Sequence, residues 1–354
     1  MISISNHFIG EEEKQAVLEV LESGMIVQGP WVAKLEEEFA KMCGVKHAIA
    51  TTSGTTALHV ALLANGIKPG DEVITTPFTF IASANSILFT GAKPVFVDID
   101  EETFNINPDL IEAAITSKTK AIMPVHLYGY VCDMDAILKI AEKYNLKVIE
   151  DACQAVGATY NNKVSGSFGT GAFSLYVSKN IMSGEGGMIT TSDDNIAELC
   201  KLIRAHGMKR RYYHEMLGYN FRMSDLHAAI GVSQLHRLEN FTIARKQNAN
   251  YFNENIKSVI IPKLKSNYGH VWHQYTVRVE GDRNAAVKQL NEAGIEAVIF
   301  YPVPAHKQQY MQDIVGDIHL PIAEKLSNQV ISLPVHPQLN ASDLETIVKE
   351  VNKL

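Results

Sequence analysis

Three short segments of the chain bring together residue types that can do chemistry. Thr52-Ser53-Gly54-Thr55-Thr56 stands between an apolar β-branched run and a helical pattern. Glycine there lets the backbone turn tightly, and the free N–H groups of a helix start, joined by two hydroxyls, can cradle a dianion such as phosphate. The same residues also read as a plain Ser/Thr cap with a turn glycine. Glu150-Asp151-Ala152-Cys153-Gln154 closes a second apolar run. Asp151 then lies beyond the carboxyl end of a strand, where open α/β sheets hold their ligands. A carboxylate buried there needs a cationic or donor partner, which a protonated pyridine nitrogen would supply. The alternative is an aspartate capping the next helix. In the third segment, Phe173-Ser174-Leu175-Tyr176-Val177-Ser178-Lys179-Asn180 is followed by Gly184-Glu185-Gly186-Gly187. A lysine just past a strand, among small hydroxyl residues and before a glycine-rich turn, can enter a cleft. There it can form a Schiff base, or act as acid or base once its pKa is depressed. Taken alone, such a lysine is an ordinary solvated residue; the weight lies in the constellation.

These residues must be positioned by a regular scaffold. Strands are predicted at 47–52, 72–76, 94–98, 120–126, 146–151, 172–176 and 187–191, with a helix over Thr55–Ala64. Asp133–Tyr144 places Met134, Ile137, Leu138 and Ala141 at amphipathic helical spacing behind an acidic start. Strand, helix and strand in this rhythm imply crossovers and a mainly parallel, buried sheet. A long helical stretch then runs from Ser224 to about Phe252, followed by an alternating strand at Trp272–Val279 and a helix at Asn284–Ala293. The expectation is an α/β protein with a large domain over 1–245 and a smaller α+β domain over 246–354.

With 354 residues the chain can bury a large core, and 32 Lys+Arg against 39 Asp+Glu give a net charge of −7. That balance argues against a nucleic-acid partner, since phosphate backbones need a basic surface. The four cysteines, Cys43, Cys132, Cys153 and Cys200, lie far apart without metal-ligand spacing. A disulfide framework or metal site is therefore not expected, and a reducing compartment fits. No signal-peptide pattern opens the chain. The longest uncharged run, Val73–Ala92, holds seven Thr, Ser or Asn residues and a proline, which suits a folded core and not a bilayer. A cytoplasmic protein without a membrane partner is expected. A nicotinamide-dependent oxidoreductase would need a GxGxxG turn after the first strand, and Ser53-Gly54-Thr55 stands there instead.

The segments SGTTALHVAL, PFTFIAS, EDACQAVGA, FSLYVSKNIMSGEGGMITT, GYNFRMSDLHAA and YPVPAH follow one another along nearly the whole chain. In content, order and approximate spacing they resemble the DegT/DnrJ/StrS family of sugar aminotransferases, which depend on pyridoxal 5'-phosphate (PLP). The resemblance implies the fold-type I, aspartate aminotransferase-like architecture. It makes Lys179 the lysine that binds the cofactor covalently and moves the proton, and Asp151 the partner of the pyridinium nitrogen. It places Gln154 near the ring hydroxyl, Phe80 on the ring face, and Gly54, Thr55 and Ser174 around the phosphate. Phe80 can also be read as a core residue. Asn220 matches a family residue that reaches the phosphate from a neighbouring subunit, which implies a homodimer with composite sites; otherwise it is a turn asparagine.

On the substrate side the resemblance points to Glu185, to Lys209 and Arg210 for the diphosphate of a nucleotide-linked substrate, and to Tyr301 and His306 near the entrance. Lys209-Arg210-Arg211 also reads as a solvated charge run, and the Pro-bracketed Tyr301–His306 stretch as a structural turn. The implied reaction moves an amino group from an amino acid, L-glutamate, to a keto-sugar. The Gly184-Glu185-Gly186-Gly187 turn looks like that of the 4-keto enzymes; cyclitol and octulosonate-type ketones stay open as acceptors. Val177-Ser178 stands where the family usually has Pro-Thr, and Cys153 replaces a small residue. Dehydratases of the family carry His at the position of Lys179, and a non-catalytic relative would be expected to lose Lys179 or Asp151; both are present here.

Overall fold

The computed structural model describes residues 1–354. Its centre is a seven-stranded sheet. The strands are β1 (His47–Thr51), β2 (Glu72–Thr75), β3 (Lys93–Phe96), β4 (Thr119–Met123), β5 (Lys147–Asp151), β6 (Thr170–Ser174) and β7 (Gly187–Thr191). They lie side by side in the order β1-β7-β6-β5-β4-β2-β3. The neighbours from β6 to β3 pair in parallel, while β7 runs against both β6 and β1. Residues 175–186 between β6 and β7 contain no helix. Parallel return needs a crossover that usually includes one, so the chain turns straight back and β7 is antiparallel. That return segment carries Lys179.

Helices cover both faces, as the near-continuous apolar strands require. On one side α3 (Gly54–Ala64) is apolar nearly all round and packs with α6 (Asp194–Arg204) against Ile49, Val73, Ile149 and Ile189. On the other side α2 (Pro30–Cys43) and α7 (Asp225–His236) enclose Phe39, Phe173, Leu175 and Val232. Helix α5 (Met134–Lys143) starts on Asp133, whose side chain accepts the Ala136 N–H at 3.3 Å. The remaining N-terminal helices are α1 (Glu11–Ser23) and α4 (Ala82–Phe89).

The single helical stretch expected over 224–252 is two helices, α7 and α8 (Leu238–Asn255). They break at Arg237, whose side chain is held by Glu12 at 2.7 Å and Glu13 at 2.9 Å on α1. The expected boundary at 245/246 falls inside α8. Leu238 of that helix packs with the large sheet, whereas Ala249 and Phe252 join a separate cluster with Trp272, Tyr275, Leu333 and Ile347. The latter surrounds the antiparallel pair β8 (Tyr275–Arg278) and β9 (Val330–Leu333), with α9 (Arg283–Glu292) and α10 (Ala341–Val351). Ile2 packs against this cluster and bridges Ile295, so the chain start is tied to its last third. No helix is long and apolar enough to cross a membrane. The architecture is the expected α/β one, with a mostly parallel sheet.

One glycine fixes how closely the sheet approaches the start of α3. A Cβ on Gly187, the first residue of β7, would collide with the Ser53 carbonyl. Gly187→Ala is therefore expected to lower stability by about 1–3 kcal/mol, the usual range for overpacking. Urea denaturation would show this as a lower midpoint, and an unchanged midpoint would show that β7 and the Ser53 turn separate freely.

Candidate active site

A cavity of about 480 Å³ opens at the carboxyl ends of β4, β5 and β6 and is closed on its far side by residues 273–274 and 300–301. Five features build it. The first is the start of α3. Ser53 Oγ accepts the Thr56 N–H at 3.2 Å, and Thr56 Oγ1 accepts the Ser53 N–H at 3.0 Å. The cap and the anion cradle are thus compatible, because the cap uses Thr56 and leaves the N–H groups of Gly54 and Thr55 without intrahelical partners. A Cβ on Gly54 would stand 2.7 Å from Ser174 Cβ and 3.0 Å from Cys153 Sγ. Glycine lets the helix start settle onto the end of β6, beside the Ser174 hydroxyl.

The second feature is Asp151, the last residue of β5 and buried. Its Oδ2 accepts the Ser83 hydroxyl at 2.7 Å and its Oδ1 the Cys153 N–H at 3.2 Å. Ser83 Oγ lies 2.9 Å from Thr79 Oγ1, which orients it. No cation of the chain pairs with Asp151. Its neighbour Glu150 differs completely: it is fully buried and takes backbone N–H groups from Gly166, Phe168 and Gly169 at 2.7–2.9 Å, with His126 Nε2 at 3.0 Å. Glu150 is saturated and structural, whereas Asp151 has capacity left.

Lys179 is the third. Burial pushes its amine pKa down, opposed by the nearby Cys153 and Asp151, and it joins no ion pair. Fourth, Phe80 on the cavity wall is 57% exposed, which rules out the core reading, and its ring centre lies 6.4 Å from that of Tyr301. Fifth, Gln154 bridges the large sheet to the C-terminal part: its Oε1 accepts the Tyr128 N–H at 2.9 Å and its Nε2 donates to Tyr301 Oη at 3.0 Å. Burial raises the Tyr301 phenol pKa, so the bridge stays neutral.

The cavity therefore brings together Gly54, Thr55, Phe80, Asp151, Gln154, Ser174, Lys179, Glu185 and Tyr301. Asn220 is outside it, exposed, with its Oδ1 accepting from Arg222 Nε at 3.0 Å. Lys209 and Arg210 lie on an exposed hairpin, where the Arg210 guanidinium sits 3.8 Å from the Tyr213 ring centre. His306 corrects the expectation of an entrance residue. It is fully buried, its Nε2 lies 2.9 Å from Glu324 Oε1, and it does not line the cavity. Glu324 also engages His319 at 2.9 Å, so His306 belongs to a charge node that pins the loop after Tyr301.

Two side chains of the cavity escaped the sequence reading. Ser83 stands three residues after Phe80 at the start of α4, and helical spacing alone could have flagged it. His273 comes from the far part of the chain, with its Nδ1 3.2 Å from Asn180 Oδ1. Burial, then Lys179 and Arg245, push its pKa well below the usual range, so it is a neutral donor to Asn180. Nothing local in the sequence marks it.

The donor set fits one kind of molecule: N–H groups and a hydroxyl for a phosphate, a carboxylate lacking a cation for a pyridinium, a desolvated amine for an aldehyde, and an aromatic for a ring face. The comparisons agree. The model of the DegT/DnrJ/EryC1/StrS aminotransferase family matches residues 7–352. The chain belongs to that family. Among relatives of this aminotransferase, GDP-perosamine synthase of Caulobacter vibrioides is 43% identical over 100% of the chain and 98% of the relative. UDP-2-acetamido-2-deoxy-3-oxo-D-glucuronate aminotransferase of Pseudomonas aeruginosa is 42% identical over 93% and 92%. Spr1654 from Streptococcus pneumoniae, solved in its PLP-form, superposes with a TM-score of 0.95 at 28% identity, covering 99% of this chain and 98% of that one.

In the cofactor-free protein the lowered Lys179 pKa means that its amine becomes a neutral nucleophile at lower pH than solvated lysines. Acetylation rates followed by mass spectrometry across pH should show Lys179 reacting at a lower pH than exposed lysines such as Lys201. A common pH profile would mean that the amine is not desolvated.

Proposed function

We propose that this aminotransferase uses PLP to move the amino group of L-glutamate onto the 4-keto carbon of a nucleotide-linked sugar, as a cytoplasmic homodimer with shared sites. The observation that carries this reading is one cavity holding both a desolvated, unpaired lysine amine and a buried carboxylate without a cation. Keto-sugar acceptors are supported by the names of the relatives. The 4-keto position rests on the Gly184–Gly187 turn, with Glu185 on the cavity wall.

When bound, PLP supplies an aldehyde that takes up an amine and a ring that accepts an electron pair. Lys179 would hold the aldehyde carbon through its amine and, as a free amine, would move the proton at the carbon that carries nitrogen. Asp151 would hold the proton on the ring nitrogen, and Ser83 and the Cys153 N–H keep its carboxylate aimed. Gly54, Thr55 and Ser174 would bind the phosphate, and Phe80 would cover the ring. Gln154 would meet the ring hydroxyl while tying Tyr301 to the cavity. One water is consumed as the donor leaves as its 2-oxo acid, and one is released with the oxygen of the acceptor ketone, so the amino group moves with no net change in water.

Asn220 supports the shared site. It is exposed, and the segment before it carries Tyr212 (76% exposed) and Leu217 (79%), an apolar and aromatic stretch suited to a second copy. From there Asn220 would complete the partner's phosphate site, and Lys209 and Arg210 would meet the diphosphate.

Lys179→Ala is expected to abolish both the covalent cofactor absorption band and turnover; an active variant would remove Lys179 from the mechanism. Asp151→Asn should retain cofactor yet slow transamination by orders of magnitude, since a neutral ring nitrogen is a poor electron sink. Wild-type rates would end the pyridinium assignment. Mixed Lys179→Ala and Asn220→Ala dimers should regain activity through one intact site each. No recovery in verified mixed dimers would count against a shared site.

A further inference from the structure

Arg245, on α8, is a buried cation whose charge the chain leaves unanswered. It is 6% exposed and makes one hydrogen bond, from Nη1 to the Trp272 carbonyl at 3.0 Å. Its Nε is buried without a partner, and it takes part in no ion pair. A guanidinium has five N–H donors, and a buried charge persists where it is paired and hydrogen-bonded. Burial pushes the Arg245 pKa down to about 10, with no acidic group opposing the shift.

The guanidinium borders a small cavity of about 30 Å³ that backs onto the main pocket, with Lys179 lining both. The wall offers the amide side chains of Asn6 and Gln338, while Asn180 already donates to the Val271 carbonyl and Gln234 to the Phe8 carbonyl and Glu13; the wall contains no carboxylate. The titratable groups around Arg245 add no negative charge either. His7 and Lys179 are on the wall, and burial and then the Arg245 charge depress the pKa of His336, so that histidine is held neutral. His273, which feels both Lys179 and Arg245, is likewise held neutral. Space for one small particle, a naked cation and amide donors together define what completes the site.

We propose that Arg245 binds a small monovalent anion of the halide class in this cavity. The anion supplies the missing counter-charge and bonds the guanidinium N–H groups that no protein atom accepts. A water molecule fits the volume but leaves the charge uncompensated. Through the Trp272 carbonyl the site braces α8 against the segment that carries His273, so occupancy strengthens the junction behind the cavity. Lys179 is on the same wall, so the site borders the proposed reaction centre, but the charge it answers is that of Arg245, which the proposed reaction does not use.

Crystals of the full chain grown in bromide should show an anomalous peak against the Arg245 guanidinium. The thermal midpoint in chloride should exceed that in gluconate at equal ionic strength by about 2 °C or more, since gluconate is too bulky for the cavity. Arg245→Met should remove the chloride-specific shift; if that variant does not fold, the bromide and chloride experiments on the unsubstituted chain decide alone. The proposal is overturned by an empty guanidinium in bromide, by a carboxylate of a second copy seated there, or by equal midpoints in the two salts. A bromide peak without chloride-specific stabilisation would mark an adventitious ion only and would equally overturn it.

Discussion

A carboxylate held out of water without a cation is an unstable proposition unless the surrounding chain fixes it, and the site depends on Asp151 being held in that state. The end of β5 shows how. Glu150 and Asp151 point to opposite faces of the same strand, as consecutive strand residues must. Glu150 is saturated by three backbone N–H groups and His126, and so locks the ends of β4 and β5 and the loop before β6 into one block. Asp151 then needs only Ser83 and one N–H to stay aimed, which leaves its charge available to a ligand.

The same logic governs Lys179. Had it formed an ion pair with Asp151, the amine would be charged and non-nucleophilic, and the carboxylate would be spent. Instead the antiparallel return into β7 carries Lys179 to the cavity wall, where desolvation favours the neutral amine. The third charge-bearing element, the start of α3, is brought in by two glycines: Gly54 lets it meet Ser174, and Gly187 lets β7 pass beneath Ser53. Three sequence-distant segments thus converge because the sheet order places β5 and β6 side by side with β7 next to them.

Much of this was legible in the sequence because the chemistry sits at strand ends, where an apolar run stops and small polar residues begin. Strand positions and the α3 and α5 helices follow from periodicity within a few residues. What the sequence hid depends on tertiary context. The split between α7 and α8 is marked by Arg237 reaching two glutamates on α1, more than two hundred positions earlier. His306 looked like an entrance residue through the resemblance of its YPVPAH stretch, but it is buried and engages a glutamate eighteen positions later. His273 reaches the cavity only through the packing of the C-terminal cluster.

The division of labour within the cavity bears on specificity. Groups that would hold the cofactor, from Gly54 to Lys179, belong to the large sheet and its loops. His273, Gln274, Phe300 and Tyr301, which close the far side, come from the C-terminal third; Phe300 and Tyr301 pack with Phe78, Phe104 and Tyr128, and hydrogen bonds such as Gln154 to Tyr301 add to that packing. A change in the 300–301 segment alters the shape offered to an acceptor while leaving the block around Glu150 and Asp151 untouched. A change in that block alters the chemistry whatever the acceptor. The amide of Gln154 serves both halves, because it accepts from the β4–α5 loop and donates to the C-terminal tyrosine. Acceptor choice can therefore drift with the C-terminal wall so long as Gln154 keeps a hydroxyl to bond across the cavity.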